Sequence, residues 1–273
     1  MKIIDSFMFF DELDLLELRL HELDKFVDHF VIVESLERHG SAQSKEAVLK
    51  NNWGIVKPFE HKIQYELLDH LYPEYSGSES GWLRDSYNRN MLIQGILKVA
   101  APSDIVMISD CDEIPRMSTV IENIPKIENR LYGLRQDFFY YNVNRYIGEW
   151  EWGTVVGTLQ AINNKGGVQH AYRAGFDGEF KLKNGGWHFS YFGNIERIKN
   201  KVSSITHSQD EPCKAFLARD NDVIKKDILS GIDIYYRYEK PFTKRSSSDA
   251  SLPGYYLDNM ERFKMFTEEY SIQ

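Results

Sequence analysis

Three acidic side chains, Asp110, Asp112 and Glu113, close an apolar run in "VMISDCDEIP", residues 106–115. Two aspartates one residue apart in an extended or turning segment aim both carboxylates toward one pole of a strand. Together they offer oxygen ligands to a hard divalent cation, and Mg²⁺ or Mn²⁺ suits such a site. Those ions complete their shell with water and substrate phosphates, so the pair predicts a phosphorylated ligand. The spacing has a structural reading too: Asp110 or Asp112 caps a helix that starts near Pro115, with Glu113 favouring its positive end. D-x-D is short and common, and alone it leaves both readings open.

The elements around the motif decide where it sits. "IIDSFMFF" at 3–10 reads as a short buried strand, and Leu13, Leu16, Leu20, Leu23, Val27 and Phe30 follow at the 3–4 spacing of an amphipathic helix. "FVIVES" at 30–35 is rich in β-branched residues and reads as a second strand, which makes a βαβ unit of the first 35 residues. A further strand is expected at "KIQYEL". Tyr87, Met91, Leu92, Ile96 and Val99 mark a helix over 84–100, and "DIVMIS" is a third core strand. The motif therefore falls at the carboxyl end of a parallel-type strand, where open α/β sheets bind ligands. Beyond it, aromatic alternating segments ("LYGLRQDFFYYNVNRY", "TVVGTLQAI", "WHFSYFG") predict additional mixed strands on the same sheet, and residues 194–273 predict a helical extension. The expected architecture is one α/β domain over 1–273, with a nucleotide-binding part to about residue 115 and an acceptor-side part after it.

Composition narrows the class. With 273 residues and 42% hydrophobic content the chain can bury a sizeable core, and a formal charge of −8 with interspersed signs argues against a nucleic-acid binder. Cys111 and Cys213 are too few for a disulfide framework, which points to a reducing compartment. No apolar run approaches the roughly 20 residues of a membrane span, and the expectation is a cytosolic protein without a transmembrane segment.

An apolar strand followed by D-x-D serves two chemistries. In haloacid-dehalogenase-like phosphohydrolases the first Asp is the nucleophile, here Asp110, but the motif opens the domain and continues to Thr or Val. In nucleotide-sugar glycosyltransferases of the GT-A type a nucleotide-binding βαβ half precedes the motif, as it does here. A third, non-enzymatic reading is a carbohydrate-binding module with a structural cation.

Taken together, "FFDELDLLELRLHELDKFVDHFVIVES", "YNRNMLIQGI", "DIVMISDCDEIP" and "GGWHFSYFG" resemble glycosyltransferase family 17, the β-1,4-mannosyl-glycoprotein N-acetylglucosaminyltransferases. The resemblance spans about residues 3–195. It implies a GT-A-like, Rossmann-type mixed sheet flanked by helices, a UDP-sugar donor, a glycan acceptor and inversion at the anomeric carbon. Animal members carry an N-terminal Golgi anchor that has no counterpart in this sequence, and the loop "LERHGSAQSKEAV" is only loosely similar.

The resemblance implies roles for individual residues. Asp112 is the main metal ligand, with Asp110 reaching the metal through water or the donor ribose. Glu34 accepts from the uracil N3–H; its plain alternative is a solvated carboxylate at a strand end. Phe10 and Asp11 stack on and bond to the nucleoside, while Asp11 equally suits capping of the next helix. Arg89 meets the diphosphate with its planar fork or makes a surface salt bridge. His188, in "GGWHFSYFG", is the preferred third metal ligand and His207, in "ITHSQDE", its competitor; a packed core histidine is the alternative. Trp187 walls the sugar pocket or fills the core. Inverting transfer needs a carboxylate base. Asp177 is preferred for it over Glu179, Glu149 and Glu151, and Trp150 and Trp152 suggest a sugar-stacking platform.

Overall fold

The structure, a computed structural model, describes residues 1–41, 43–70, 78–128, 130–178 and 180–271; residues 78–80 and 176 are described in their backbone only. Four parallel strands form its centre: β1 (Ile3–Phe9), β2 (His29–Ser35), β3 (Ile63–Leu68) and β4 (Ile105–Asp110). They lie in the order β3-β2-β1-β4, so the chain moves outward on one side of β1 and then returns to its other side. That reversal puts a topological switch point between β1 and β4, with Met8 beside Asp110 at their carboxyl ends.

Near-continuous apolar sequence makes these strands, because both of their faces are buried. Phe7, Phe9, Phe30, Ile32 and Met107 pack with the helix Leu13–Leu23 on one face. Ile4, Met8, Val31, Val33 and Ile108 pack on the other against Leu92 and Ile96 of the helix Ser78–Val99. Truncating one of them, Ile108→Ala for example, costs about 2–5 kcal/mol. The 3–4 spacing of the first helix ends at Leu23; Val27 is buried in the turn that follows and Phe30 already belongs to β2.

After β4 the chain makes β5 (Glu113–Pro115), β6 (Tyr132–Leu134), β7 (Gln136–Tyr140), β8 (Arg145–Trp150), β9 (Val155–Thr158), β10 (Lys181–Leu182), β11 (Gly186–Ser190) and β12 (Thr243–Lys244). Only β9, β6 and β10 extend the first sheet, in the order β10-β6-β9-β4-β1-β2-β3. The remainder build a second sheet, β12-β8-β7-β11-β5, which corrects the expectation that all the aromatic segments join one sheet. The chain changes sheets between β6 and β7, and Phe138 and Phe139 of β7 pair with Gly148 and Tyr146 of β8, which leaves Ile147 as an extra residue in the β8 register.

The acidic motif lies where the two sheets meet. The Cys111 amide donates to the Met8 carbonyl of the first sheet (3.1 Å), while the Asp112 carbonyl accepts from the Phe189 amide of the second (2.9 Å). Gly186 makes this junction possible: its φ is +138°, and a Cβ there would fall 2.1 Å from the Ile114 carbonyl oxygen. The C-terminal region is largely helical, with helices Ile195–Ser204, Glu211–Leu217, Asn221–Ser230 and Gly254–Asp258. Among the described residues no helix is long and apolar enough to cross a membrane.

Candidate active site

A cavity of about 400 Å³ opens at the carboxyl ends of β1, β2 and β4, a size ordinary for a small-molecule site. Its floor is the motif, and the motif's backbone is held from beneath by a buried arginine. Arg19, from the first helix, donates Nη1 to the carbonyls of Asp110 (2.9 Å) and Glu113 (2.8 Å) and Nη2 to Ser109 Oγ (2.6 Å). The turn that presents the acids is therefore fixed before any ligand arrives.

Each aspartate then has its own cation. Arg89 Nη1 lies 2.8 Å from Asp110 Oδ1, and the same guanidinium reaches Asp85 at 3.4 Å and covers the Tyr172 ring at 4.0 Å. Lys201 Nζ lies 2.6 Å from Asp112 Oδ2 and 3.1 Å from Glu12 Oε1. Burial works to raise the Asp112 pKa, but the Lys201 ammonium and then His188 outweigh it, and the carboxyl is held well below its ordinary range. Lys201 moves the other way: burial opposes its charge, yet Asp112 and Glu12 keep it firmly protonated.

Glu113 differs from these acids. Its carboxylate meets no Lys or Arg within ion-pair distance among the described residues; its Oε1 accepts from the Trp150 indole N–H (3.1 Å) and its Oε2 from the Asp110 amide (3.2 Å). Burial, then the charges of Asp110 and Asp112, push its pKa well above the usual carboxylate range.

The capping readings do not hold. The helix after the motif is Met117–Glu122, capped by neither aspartate, with Arg116 at its N-cap position. Glu12 occupies that position at the first helix, and Asp11 Oδ2 instead accepts from Asn200 Nδ2 at 2.7 Å. Burial, with Glu12 beside it, raises the Asp11 pKa.

Of the residues expected at the site, the structure brings Phe10, Arg89, Asp110, Asp112, His188 and His207 to the cavity wall, together with Trp150 and Trp152. His188 is stacked on Phe138 with centroids 4.7 Å apart, and its Nε2 is 3.7 Å from Asp112 Oδ2; its buried Nδ1 has no hydrogen-bond partner among the described residues. His207 stacks on Trp82 at 6.1 Å, and burial lowers its pKa.

Three expectations are corrected. Glu34 is fully buried and already engaged by the Leu49 amide (3.2 Å), Lys45 Nζ (3.1 Å) and the Tyr65 hydroxyl (2.7 Å), so it does not line the cavity. Its alternation with Ile32 points it to the core face; Ser35 and Glu37 reach the cavity instead. Trp187 is core: strand alternation turns it away from His188, its Nε1 donates to the Ser251 carbonyl at 2.7 Å, and Arg116 covers its ring. Asp177 is exposed at the end of the helix Val168–Asp177 and is not part of the cavity wall. Glu149 and Glu151 pair with Arg135 at 3.5 and 2.8 Å outside the cavity, and Glu179 lies outside the described residues.

The structure adds Lys201, Glu12 and Arg19, none of which the sequence reading singled out. Lys201 carries only a faint signal. It sits beside Val202 and one turn from Ile198, both buried, on the shoulder of the apolar stripe of the helix Ile195–Ser204.

A divalent ion at Asp110 and Asp112 would need their oxygens free to converge on it and room clear of other positive charge. Arg89 and Lys201 take one oxygen of each aspartate, and His188 shares the oxygen Lys201 uses. Among the described residues no group of three His, Cys, Asp or Glu is disposed to hold a metal ion. The expected Mn²⁺ or Mg²⁺ does not fit this donor set, and no step below is routed through one.

An open α/β sheet with a charged, aromatic-walled cavity at its switch point is suited to holding a small ligand across the ends of β1 and β4. The chain belongs to glycosyltransferase family 17, whose profile matches residues 1–268. Over 124 residues it is 35% identical to the β-1,4-mannosyl-glycoprotein 4-β-N-acetylglucosaminyltransferases of Rattus norvegicus and Homo sapiens. That match covers 44% of this chain and 23% of those proteins, so the matched segment spans about a quarter of their length. Among solved structures, an inositol-1-phosphate CTP transferase from T. maritima superposes with a TM-score of 0.36 at 12% identity, over 70% of this chain and 86% of that one. That likeness is too loose to carry an argument.

Proposed function

We propose that this enzyme moves a sugar from a uridine-diphosphate donor to a hydroxyl of a glycan, with inversion at the anomeric carbon. The observation that carries the reading is the pairing of Asp110 with Arg89 and Asp112 with Lys201 at the switch point. Two fixed cations beside two carboxylates suit a ligand that carries phosphates next to a ribose. The names of the curated relatives support an N-acetylglucosaminyl donor and a mannose-bearing acceptor.

In this reading the nucleoside lies toward Phe10 at the end of β1, and the diphosphate meets Arg89 and Lys201. The acceptor enters over Trp150 and Trp152, whose rings stand nearly perpendicular with centroids 5.2 Å apart; apolar sugar faces pack against such rings. Glu113 is the base. No Lys or Arg stands within ion-pair distance of its carboxylate among the described residues, burial and the neighbouring aspartates raise its affinity for a proton, and its bond to Trp150 supports a position on the acceptor side. Asp110 makes a poor free nucleophile for phosphoester hydrolysis while Arg89 holds its Oδ1.

The test is turnover with nucleotide sugars and mannose-containing oligosaccharides, read as UDP release together with the product's anomeric configuration by NMR. A β-linked product from an α-linked donor is expected. Release of inorganic phosphate from phosphoesters, with no sugar transferred, would defeat the proposal.

A further inference from the structure

Lys201 sets one positive charge against Asp112 and Glu12 at the cavity wall. Its Nζ lies 2.6 Å from Asp112 Oδ2 and 3.1 Å from Glu12 Oε1. An ammonium has three N–H donors. Among the described residues two are used, by Asp112 and Glu12, and the third is open to a ligand in the cavity that Lys201 lines.

The ammonium is also held in position. Its helix, Ile195–Ser204, buries Ile198 and Val202 and is capped by the Asn194 side chain, which accepts from the Arg197 amide at 3.0 Å. Around the same helix, Asn200 bonds Asp11 at 2.7 Å and accepts from Arg38 at 2.8 Å, and Arg197 pairs with Asp14 at 3.1 Å. Three polar ties thus fasten it to the segments that follow β1 and β2, so the charge is preorganised toward the cavity. A dication on the same aspartate would stand beside this ammonium and the Arg89 guanidinium, with strong repulsion at such range.

We propose that Lys201 supplies the positive charge that the departing nucleoside diphosphate requires, and that transfer proceeds without a divalent cation. The inference rests on the nucleotide-sugar reading above. As the donor's C1–O bond breaks, its electron pair stays on the β-phosphate oxygen, where Lys201 and Arg89 donate hydrogen bonds. The acceptor oxygen forms the new bond to C1, and its proton passes to Glu113. Lys201 remains protonated throughout.

The test uses the full chain, stripped of metal and kept in chelator, with UDP binding measured by calorimetry and transfer by UDP release. The wild-type protein is expected to bind UDP and turn over under chelation, with Mn²⁺ changing either by less than about twofold. Lys201→Met should weaken UDP binding roughly 10- to 100-fold, the range of a lost charge-assisted hydrogen bond, and Lys201→Arg should retain most of it. Lys201→Ala, which vacates the space between Asp112 and Glu12, should regain UDP binding when Mn²⁺ is added. Circular dichroism confirms that each variant is folded, and the arginine variant guards against loss by misfolding. UDP binding by the wild type only with Mn²⁺ would overturn the inference and leave the nucleotide-sugar reading standing. Indifference to every nucleotide with and without metal would remove both.

Discussion

Arg19 and Asp5 form a two-pronged ion pair with no exposure to solvent: Nε lies 2.7 Å from one carboxylate oxygen and Nη2 2.6 Å from the other. The pair sits directly beneath the acidic motif, whose carbonyls take the remaining Arg19 donors. Removing one partner leaves an uncompensated buried charge, which costs about 3–5 kcal/mol. Arg19→Met should therefore lower the melting temperature by roughly 10 °C, and Arg19→Met combined with Asp5→Leu should be less destabilised than the single variant. Calorimetric melting of the three proteins checks this; equal melting temperatures would deny the pair its structural role.

Glu113→Gln should reduce turnover about 10²- to 10⁴-fold while UDP affinity stays within about threefold of wild type. Asp177→Asn, on an exposed helix end, should leave turnover unchanged. A reversed pattern would return the base to the position preferred from sequence.

Trp150→Ala and Trp152→Ala should raise the acceptor KM roughly tenfold, the effect of losing one buried aromatic contact, with the donor KM little changed. Trp150 also holds Glu113, so its variant alone should lower kcat as well. Initial-rate kinetics with each substrate varied separates the two effects.

Stability should fall at acid pH partly through Asp112. Burial would raise its pKa, but Lys201 and His188 prevail and hold it below the unfolded value of about 3.9. The folded protein thus binds the proton less readily than the unfolded chain. The resulting stabilisation is complete above that unfolded value and is lost as pH falls below it toward the folded one. Asp112→Asn should melt lower at neutral pH and lose less on acidification between about pH 5 and pH 3. Parallel melting curves for the two proteins would show that the carboxylate contributes nothing to folding.

The four parallel strands and the place of the motif were readable because they depend on local pattern: unbroken apolar runs, then acids at a strand end. Period-2 alternation was equally available for Trp187 and His188, and it decides which of the two faces the cavity. What could not be read was pairing across distance. Aromatic alternation in "DFFYY" marks a strand but not the sheet it joins, and the second sheet followed only from the structure. Lys201 lies 89 positions from Asp112, on a helix whose own pattern calls for a solvated lysine. Asp177 attracted attention as an acid after the motif, and no local signal showed that its helix turns it outward. Glu34 sits at its expected strand end, but its three partners lie up to 31 positions away.

The stretch from Cys111 to Asp112 is stitched to one sheet by its first amide and to the other by its next carbonyl. It is a seam, and the groups on its two sides belong to different slabs of the molecule: Asp110 and Arg89 ride with one, Glu113, Trp150 and His188 with the other. In the proposed transfer, slippage of one slab over its neighbour would alter the gap between the leaving phosphate and the incoming hydroxyl, and the firmness of that stitching would set how closely the two reactants can be brought together.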